Sequence, residues 1–535
     1  MRLVDLRRGL LAGAVAFVLG LAGPLPSHAA MDQAAFRQAV AEAASDDVAV
    51  AAFYRDRDYA AFWTTADAAA RRAALLTALA QAPDHGLPAT RHDPHALIAA
   101  FREARTLRDI GRAEVMATRM FLSYARDIGS GVIDPGRVVT DIKRQIDRPD
   151  PADLLARLAA ADNPGAVLRR LAPRSPEYAR LLREKTRLEQ RIAEGGWGPR
   201  VPSGTLRPGQ TGAAVVALRN RMIAMGYLAR SAAASYDAAL QKAVQAFQRD
   251  HGLEPDGVAG AGTVDEINIA PEERLKSILV AMERERWLGN DRGDRHVLVN
   301  ITDFHARIVE AGEVVFQTRS VVGKNVSDQR TPEFSDVMDH MVINPTWNVP
   351  RSIAVKEYLP KMQANPNAHG YLQLVDARGR VVSRGAVDFS RYTARTFPFA
   401  LKQPPSQANA LGLVKFMFPN PYNIYLHDTP SKSLFDREVR AFSHGCIRLG
   451  DPFDFAYALL ATQTDDPKGF FAARLATGRE TRVDLEHPLP IHIIYRTAVT
   501  EPAGRVQYRR DVYGRDAAIF DALQAAGVAL APVRG

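Results

Sequence analysis

The chain has 535 residues, of which 47% are hydrophobic and 24% charged, and it carries a formal net charge of +9. That length exceeds what one hydrophobic core serves, so roughly two to four domains are expected, and the composition excludes a disordered chain. The basic surplus fits an anionic partner, yet no Lys/Arg run or RNA-binding signature accompanies it, so nucleic acid is not the expected partner.

At the start, Arg2, Arg7 and Arg8 precede an apolar run from Gly9 to Gly23, and Ser27-His28-Ala29 places small residues where a signal peptidase checks for them. The run is 15 residues, short of the ~20 a membrane span needs. Residues 1–29 therefore read as a secretory signal peptide rather than a retained anchor. No later stretch has the length and apolarity of a span, so the expected mature protein is exported to the periplasm without one.

Residues 30–200 show helical spacing of apolar side chains, as in Leu75 and Leu79, Met116, Met120 and Tyr124, and Leu154 and Leu158. This predicts a helical scaffold domain, in which His85 and His92 are loop residues rather than ligands. Residues 201–270 form a smaller three-helix module. Val215, Leu218 and Met222 mark one helix, while Leu240, Val244 and Phe247 mark the next. A further helix over residues 271–292 carries Leu275, Ile278, Leu279 and Met282 on one stripe and is expected to return to the scaffold.

From residue 293 to 535 the period shifts to two, with strand-like runs at His296 to Ile301, Val337 to Asn344, Leu413 to Phe418 and Leu489 to Tyr495. Within this part, residues 345–410 lack strong periodicity and include Trp347-Asn348-Val349-Pro350, which suggests a capping segment over a substrate groove. The fold class is thus multidomain α+β, with a helical scaffold, a small three-helix module and a β-rich domain.

The chain's one cysteine lies in Ser443-His444-Gly445-Cys446-Ile447-Arg448, and His427-Asp428 lies upstream. A single thiol beside glycine and histidines suits nucleophilic acyl transfer. The sulfur attacks, an imidazole takes the proton, and backbone amides near the glycine bind the oxyanion. Ser443 to Arg448 can run as a strand entering a turn, and in an extended segment His444, Cys446 and Arg448 share a face. Arg448 then either lowers the thiol pKa or holds a substrate carboxylate, and Asp428 or a nearby carbonyl orients His427. His492 reads as structural. The competing account is a metal bound by His427, His444 and Cys446, but no fourth ligand has suitable spacing, so no metal or cofactor is expected.

His427, fifteen intervening residues, and then Ser443-His444-Gly445-Cys446-Ile447-Arg448 resemble the L,D-transpeptidase (YkuD) catalytic signature, as do Lys415-Phe416 and Tyr425-Leu426-His427-Asp428-Thr429-Pro430. The middle module is similar to peptidoglycan-binding domain 1, through Leu206-Arg207-Pro208-Gly209 and Asp256-Gly257-Val258-Ala259-Gly260. The order of parts resembles the large periplasmic L,D-transpeptidases of Gram-negative bacteria. The resemblance implies Cys446 as nucleophile and His427 as base. It also implies an oxyanion hole from the amides around His444, Gly445 and Cys446, with Ser443, His444, Arg448 and Asp428 shaping the site. The implied reaction takes a tetrapeptide stem, releases terminal D-alanine and forms a 3→3 cross-link in peptidoglycan. Water or a lipoprotein amine as acceptor, or a dormant wall-binding scaffold, remain alternatives. Carbapenem-type β-lactams are implied as inhibitors.

Overall fold

The computed structural model describes residues 33–500 and 504–530. The expected signal peptide, residues 1–29, lies outside them. Among the described residues no helix is long and apolar enough to cross a membrane. The chain divides into two compact units. The first holds residues up to 140, 144–291 and 497 onward, and the second holds 141–143 and 292–496.

In the first unit, the long helix α1 (Leu107–Ser130) opens on a capping box between Thr106 and Asp109, which satisfies two orphan donors of its first turn. α1 buries Glu114, whose carboxylate accepts the backbone N–H groups of Phe62, Trp63 and Thr64. His92, in a turn, bonds the buried Asp127 of α1 at 3.0 Å, and His85 bonds Tyr178 at 3.1 Å. Both histidines are structural.

After helix α2 (Pro176–Ala193) comes the three-helix module of α3 (Ala213–Ala224), α4 (Ala238–Asp250) and α5 (Ala261–Ile267). Val215, Leu218, Met222, Leu240, Val244 and Phe247 form its small core.

Helix α6 (Pro271–Leu288) packs on α2. The sequence suggested one apolar stripe, but the helix is buried on nearly every side, including Glu283, Glu285 and Arg286. Those charges are tolerated because each is paired or hydrogen-bonded: Glu285 accepts from Ser175 at 2.7 Å, and Glu283 pairs with Arg286 at 2.7 Å.

The expected catalytic extent of 293–535 is too long. From Thr497 the chain belongs to the first unit. There helix α7 (Arg515–Ala525) meets α6, with Asp516 pairing Arg284 at 3.2 Å, and a short hairpin buries Tyr508.

The second unit is a nine-stranded sheet. Its strands are β1 (Arg295–Asn300), β2 (His305–Glu310), β3 (Glu313–Gly323), β4 (Phe334–Ile343), β5 (Val414–Met417), β6 (Leu426–His427), β7 (Ala441–Ser443), β8 (Ile447–Leu449) and β9 (Thr481–Ile494). Their order is β7-β3-β8-β6-β5-β4-β9-β1-β2, and a further β2–β3 pairing closes the sheet on itself. Closure leaves few unpaired edges. His492 on β9 bonds Ser335 at 2.7 Å and the Arg292 carbonyl at 3.0 Å, a structural role.

Between β4 and β5, residues 347–403 build their own four-stranded sheet from strands of two to four residues. Its core gathers Trp347, Met362, Leu374, Phe389, Phe397 and Leu401.

Candidate active site

Strands β6 and β8 run parallel in the middle of the sheet, with Leu426 opposite Ile447 and His427 opposite Arg448. Leu426 and Ile447 are fully buried. Alternation therefore turns Tyr425 and His427, and across from them Cys446 and Arg448, to the other face. The Ile447 amide donates to the Tyr425 carbonyl at 3.1 Å, fixing this register beside the thiol.

Ser443 to Arg448 is not one strand, contrary to the extended reading. β7 ends at Ser443, β8 begins at Ile447, and a tight turn joins them with Gly445 at φ +112°. That value favours glycine, and a Cβ there would approach the Ile424 side chain at 3.2 Å.

The turn is pinned from within and without. Ser443 Oγ donates to the Cys446 carbonyl at 2.5 Å and accepts the Gly445 amide at 3.2 Å. The buried Thr331 hydroxyl donates to the Gly445 carbonyl at 2.7 Å. The Gly445 amide is therefore engaged, whereas the His444 and Cys446 amides donate to no group among the described residues. Those two are the donors left for an oxyanion.

Cys446 is partly exposed, so its sulfur is reachable. Its thiol donates to the Asn423 carbonyl at 3.4 Å, and Tyr425 lies close enough to pull the thiol pKa down. No hydrogen bond joins it to His427. The dense protein around the sulfur pushes the thiol pKa up to about 11, although Tyr425, Arg448 and Lys415 act in the opposite direction. Arg448 thus acts to lower the thiol pKa, one of the two roles the sequence offered for it, but desolvation outweighs that charge.

His427 is buried, and its ring Nδ1 donates to the Asp428 carbonyl at 2.5 Å. That assignment leaves Nε2 as the proton acceptor. Burial, then the Arg448 charge, lower its pKa to about 3.

The carboxylate of Asp428 does not touch the imidazole. It accepts the Leu413 amide (2.9 Å), the Thr429 amide (2.7 Å) and Lys432 Nζ (2.7 Å). Gly412 makes room for it, since a Cβ at that φ of +61° would lie 2.2 Å from the carboxylate. Arg448 is partly buried, and its Nε–H meets no acceptor among the described residues. His444 Nε2 bonds the Glu357 carboxylate at 2.6 Å.

The three residues weighed as metal ligands thus engage three separate partners. Among the described residues no group of three His, Cys, Asp or Glu side chains gathers for a metal.

Sequence reasoning passed over Tyr425 and Glu357. Tyr425 was readable as the residue two before His427 on a strand, hence on the same face. Glu357 lies far from the motif in sequence, in a π-helical turn (Ala354–Tyr358), and had no local signal. Beside this constellation is a cavity of about 630 Å³, lined by Trp347, Tyr358 and Tyr371 of the capping segment, by Pro430, and by Arg448 from the sheet.

Comparison with known proteins gives the families to which parts of the chain are similar. Residues 294–471 match the family model described as "L,D-transpeptidase catalytic domain", residues 211–267 the "Putative peptidoglycan binding domain", and residues 48–184 the "Scaffold domain". A Haemophilus influenzae protein named "Putative L,D-transpeptidase" is 33% identical over 225 residues. The match covers 41% of this chain and 44% of that protein, so the chain spans less than half the length of that relative.

Among solved structures, an L,D-transpeptidase from Xylanimonas cellulosilytica is 15% identical, with a TM-score of 0.18, over 56% of this chain and 98% of its own. One from Stackebrandtia nassauensis is 14% identical, with a TM-score of 0.22, over 56% and 97%. Scores of that size carry no argument about the site. Residues 294–471 are an L,D-transpeptidase catalytic domain of the YkuD family, carried in one chain with a scaffold domain and a peptidoglycan-binding domain.

Proposed function

We propose that the protein is a peptidoglycan L,D-transpeptidase that forms 3→3 cross-links through a thioester on Cys446. The observation that carries this reading is the β6–β8 register, which turns Tyr425, His427, Cys446 and Arg448 to one face beside a turn with two amides to spare.

Both reacting side chains are neutral at rest, since the thiol titrates at about 11 and the imidazole at about 3. Attack therefore requires proton transfer in the same step, with His427 as general base, rather than a preformed thiolate–imidazolium pair. On this reading the Cys446 thiol leaves the Asn423 carbonyl, its partner at rest, before its proton passes to the imidazole.

The sulfur adds to the carbonyl carbon of the third stem residue, and the oxyanion meets the His444 and Cys446 amides. The C–N bond to D-alanine then breaks, and His427 returns the proton to the departing amine. In the second half, the side-chain amine of another stem attacks the thioester, gives its proton to His427, and the thiol is restored.

Arg448, whose Nε–H lacks an acceptor, suits a stem carboxylate in the capped cavity. Carbapenem-type β-lactams acylate the same thiol on this reading, and the work is done outside the cytoplasm, in the periplasm, after signal removal.

The test is incubation of the purified protein with tetrapeptide muropeptides, followed by mass spectrometry. Cross-linked dimers are expected. Tripeptides alone would mean hydrolysis, and an unchanged substrate would mean a binding scaffold. Cys446→Ala should abolish turnover, and His427→Ala should leave at most a residual rate. Full activity in Cys446→Ala would overturn the nucleophile.

A further inference from the structure

The first unit contains a second cavity, of about 450 Å³, where α2, the ends of α3 and α4, and the segment around residues 504–508 meet. Its charge is one-sided. Among the described residues, Arg180, Arg183, Arg187, Arg274 and Arg505 line it, against a single acid, Glu184.

Glu184 is already engaged, by Arg187 through two hydrogen bonds of 2.6 and 2.7 Å and by the Tyr508 hydroxyl at 3.2 Å. Arg274 is matched by Glu266 at 2.6 Å, outside the cavity. Asp250, behind the wall, accepts the Tyr227 hydroxyl at 2.9 Å.

The other three guanidiniums make no direct ion pair among the described residues, although the charge of Arg505 is felt by Asp250 at longer range. Arg180 donates only to Thr500, Arg505 donates to the Gly226 carbonyl and lies over the Tyr227 ring, and Arg183 makes no hydrogen bond or ion pair.

A second observation points the same way. Trp197, in the wall of this cavity, is only 8% exposed, and its indole Nε1–H finds no acceptor among the described residues. Buried donors are nearly always satisfied, so an orphan beside three unmatched cations indicates a missing acceptor-rich ligand. Guanidinium groups recognise planar carboxylates through paired N–H bonds.

We propose that this cavity binds the carboxylate-bearing stem peptide of peptidoglycan, as a site separate from Cys446. The proposal rests on the wall-directed function, because that function supplies the anionic peptide. It gives the chain a second hold on the polymer, built jointly by the scaffold, the three-helix module and the C-terminal segment rather than by the module alone. Two weak attachments in one chain raise effective concentration, so a stem held here favours encounter of the polymer with the thiol.

The experiment is calorimetric titration of the full-length protein with a soluble stem tripeptide ending in a diamino acid. The comparison ligands are the same tripeptide with amidated carboxylates, neutral chitotetraose, and inorganic sulfate. Two classes of site are expected for the tripeptide. Arg183→Glu with Arg505→Glu should weaken one class by about tenfold or more, as expected for loss of charge-assisted bonds. Both arginines are exposed, so the fold should tolerate the change, and turnover of tetrapeptide at Cys446 should be unaltered. Trp197→Phe should weaken the same class.

Unchanged binding in the arginine variant, equal binding of the amidated peptide or chitotetraose, or competition by sulfate at the same concentration would each overturn the proposal. Normal turnover with arginine-independent binding would sink this inference alone. Arginine-dependent binding without any turnover would instead sink the transpeptidase reading alone.

Discussion

Cys446 and His427 are each held in the uncharged form by the protein around them, and this sets the pH behaviour of the site. His427 accepts a proton only when neutral, and with a pKa of about 3 it is neutral well below its ordinary 6.5. Cys446 stays protonated up to about 11. Neither group titrates in between, so kcat/KM should be flat from about pH 5 to 9. An inflection near 6.5 would show a solvated imidazole. The sign for stability follows from the same depression. The unfolded ring takes a proton below about 6.5 and the folded one does not, so the stability this ring contributes is whole above 6.5 and drains away towards 3. Tyr425→Phe removes the hydroxyl that opposes the rise in the thiol pKa and should lower kcat about 10- to 100-fold with the melting temperature unchanged. Gly412→Ala should cost about 1–3 kcal/mol in a denaturant titration, through its positive φ and the displaced Asp428. The types and spacing of His427 and Cys446 were legible in the sequence. Their protonation was not, because desolvation depends on neighbours that only the fold brings close, as it brings Lys415 of β5 to both.

Among the elements, period-two patterning located β1, β4, β5 and β9 well, because each alternates or runs apolar over several residues. Most of the capping sheet escaped it, the strand-like run at Gln373–Val375 excepted, since strands of two to four residues are too short to show a period. The position of the Cys446 turn, between two strands rather than after one, escaped for another reason: a glycine at φ +112° breaks an otherwise extended reading. The π-helical turn Ala354–Tyr358 ties the capping segment to the sheet domain twice, through Glu357 to His444 and through Lys356 to Asp328, both at 2.6 Å. The Lys356 pair is exposed and contributes little. The Glu357 contact meets the turn that carries the thiol. Glu357→Ala should therefore speed amide hydrogen exchange across residues 345–410, whereas Glu357→Gln, which keeps a hydrogen bond, should change it far less. Equal exchange in both variants would show that Glu357 does not hold the cap.

For the molecule as a whole, the helical scaffold, the small module and the β-rich domain were readable from composition and period. The allegiance of the C-terminal segment was not, because its strand pattern resembles that of the catalytic half. Only tertiary pairing reveals it: Asp516 against Arg284, and Tyr508 stacked on His251 at 5.7 Å. Asp516→Asn should destabilise the first unit by about 2 kcal/mol, visible in calorimetry as a lowered transition for that unit and an unmoved one for the other. The catalytic sheet is thus an insertion in a body whose helix α7 follows it in the chain. During synthesis from the N-terminus, the β-rich unit has all its strands once residue 496 has emerged, while the all-round buried helix α6 still lacks α7. The nascent chain therefore finishes its enzyme before its support, and stalling or clipping beyond that point would leave a folded catalytic unit attached to an unfinished, sticky helical one.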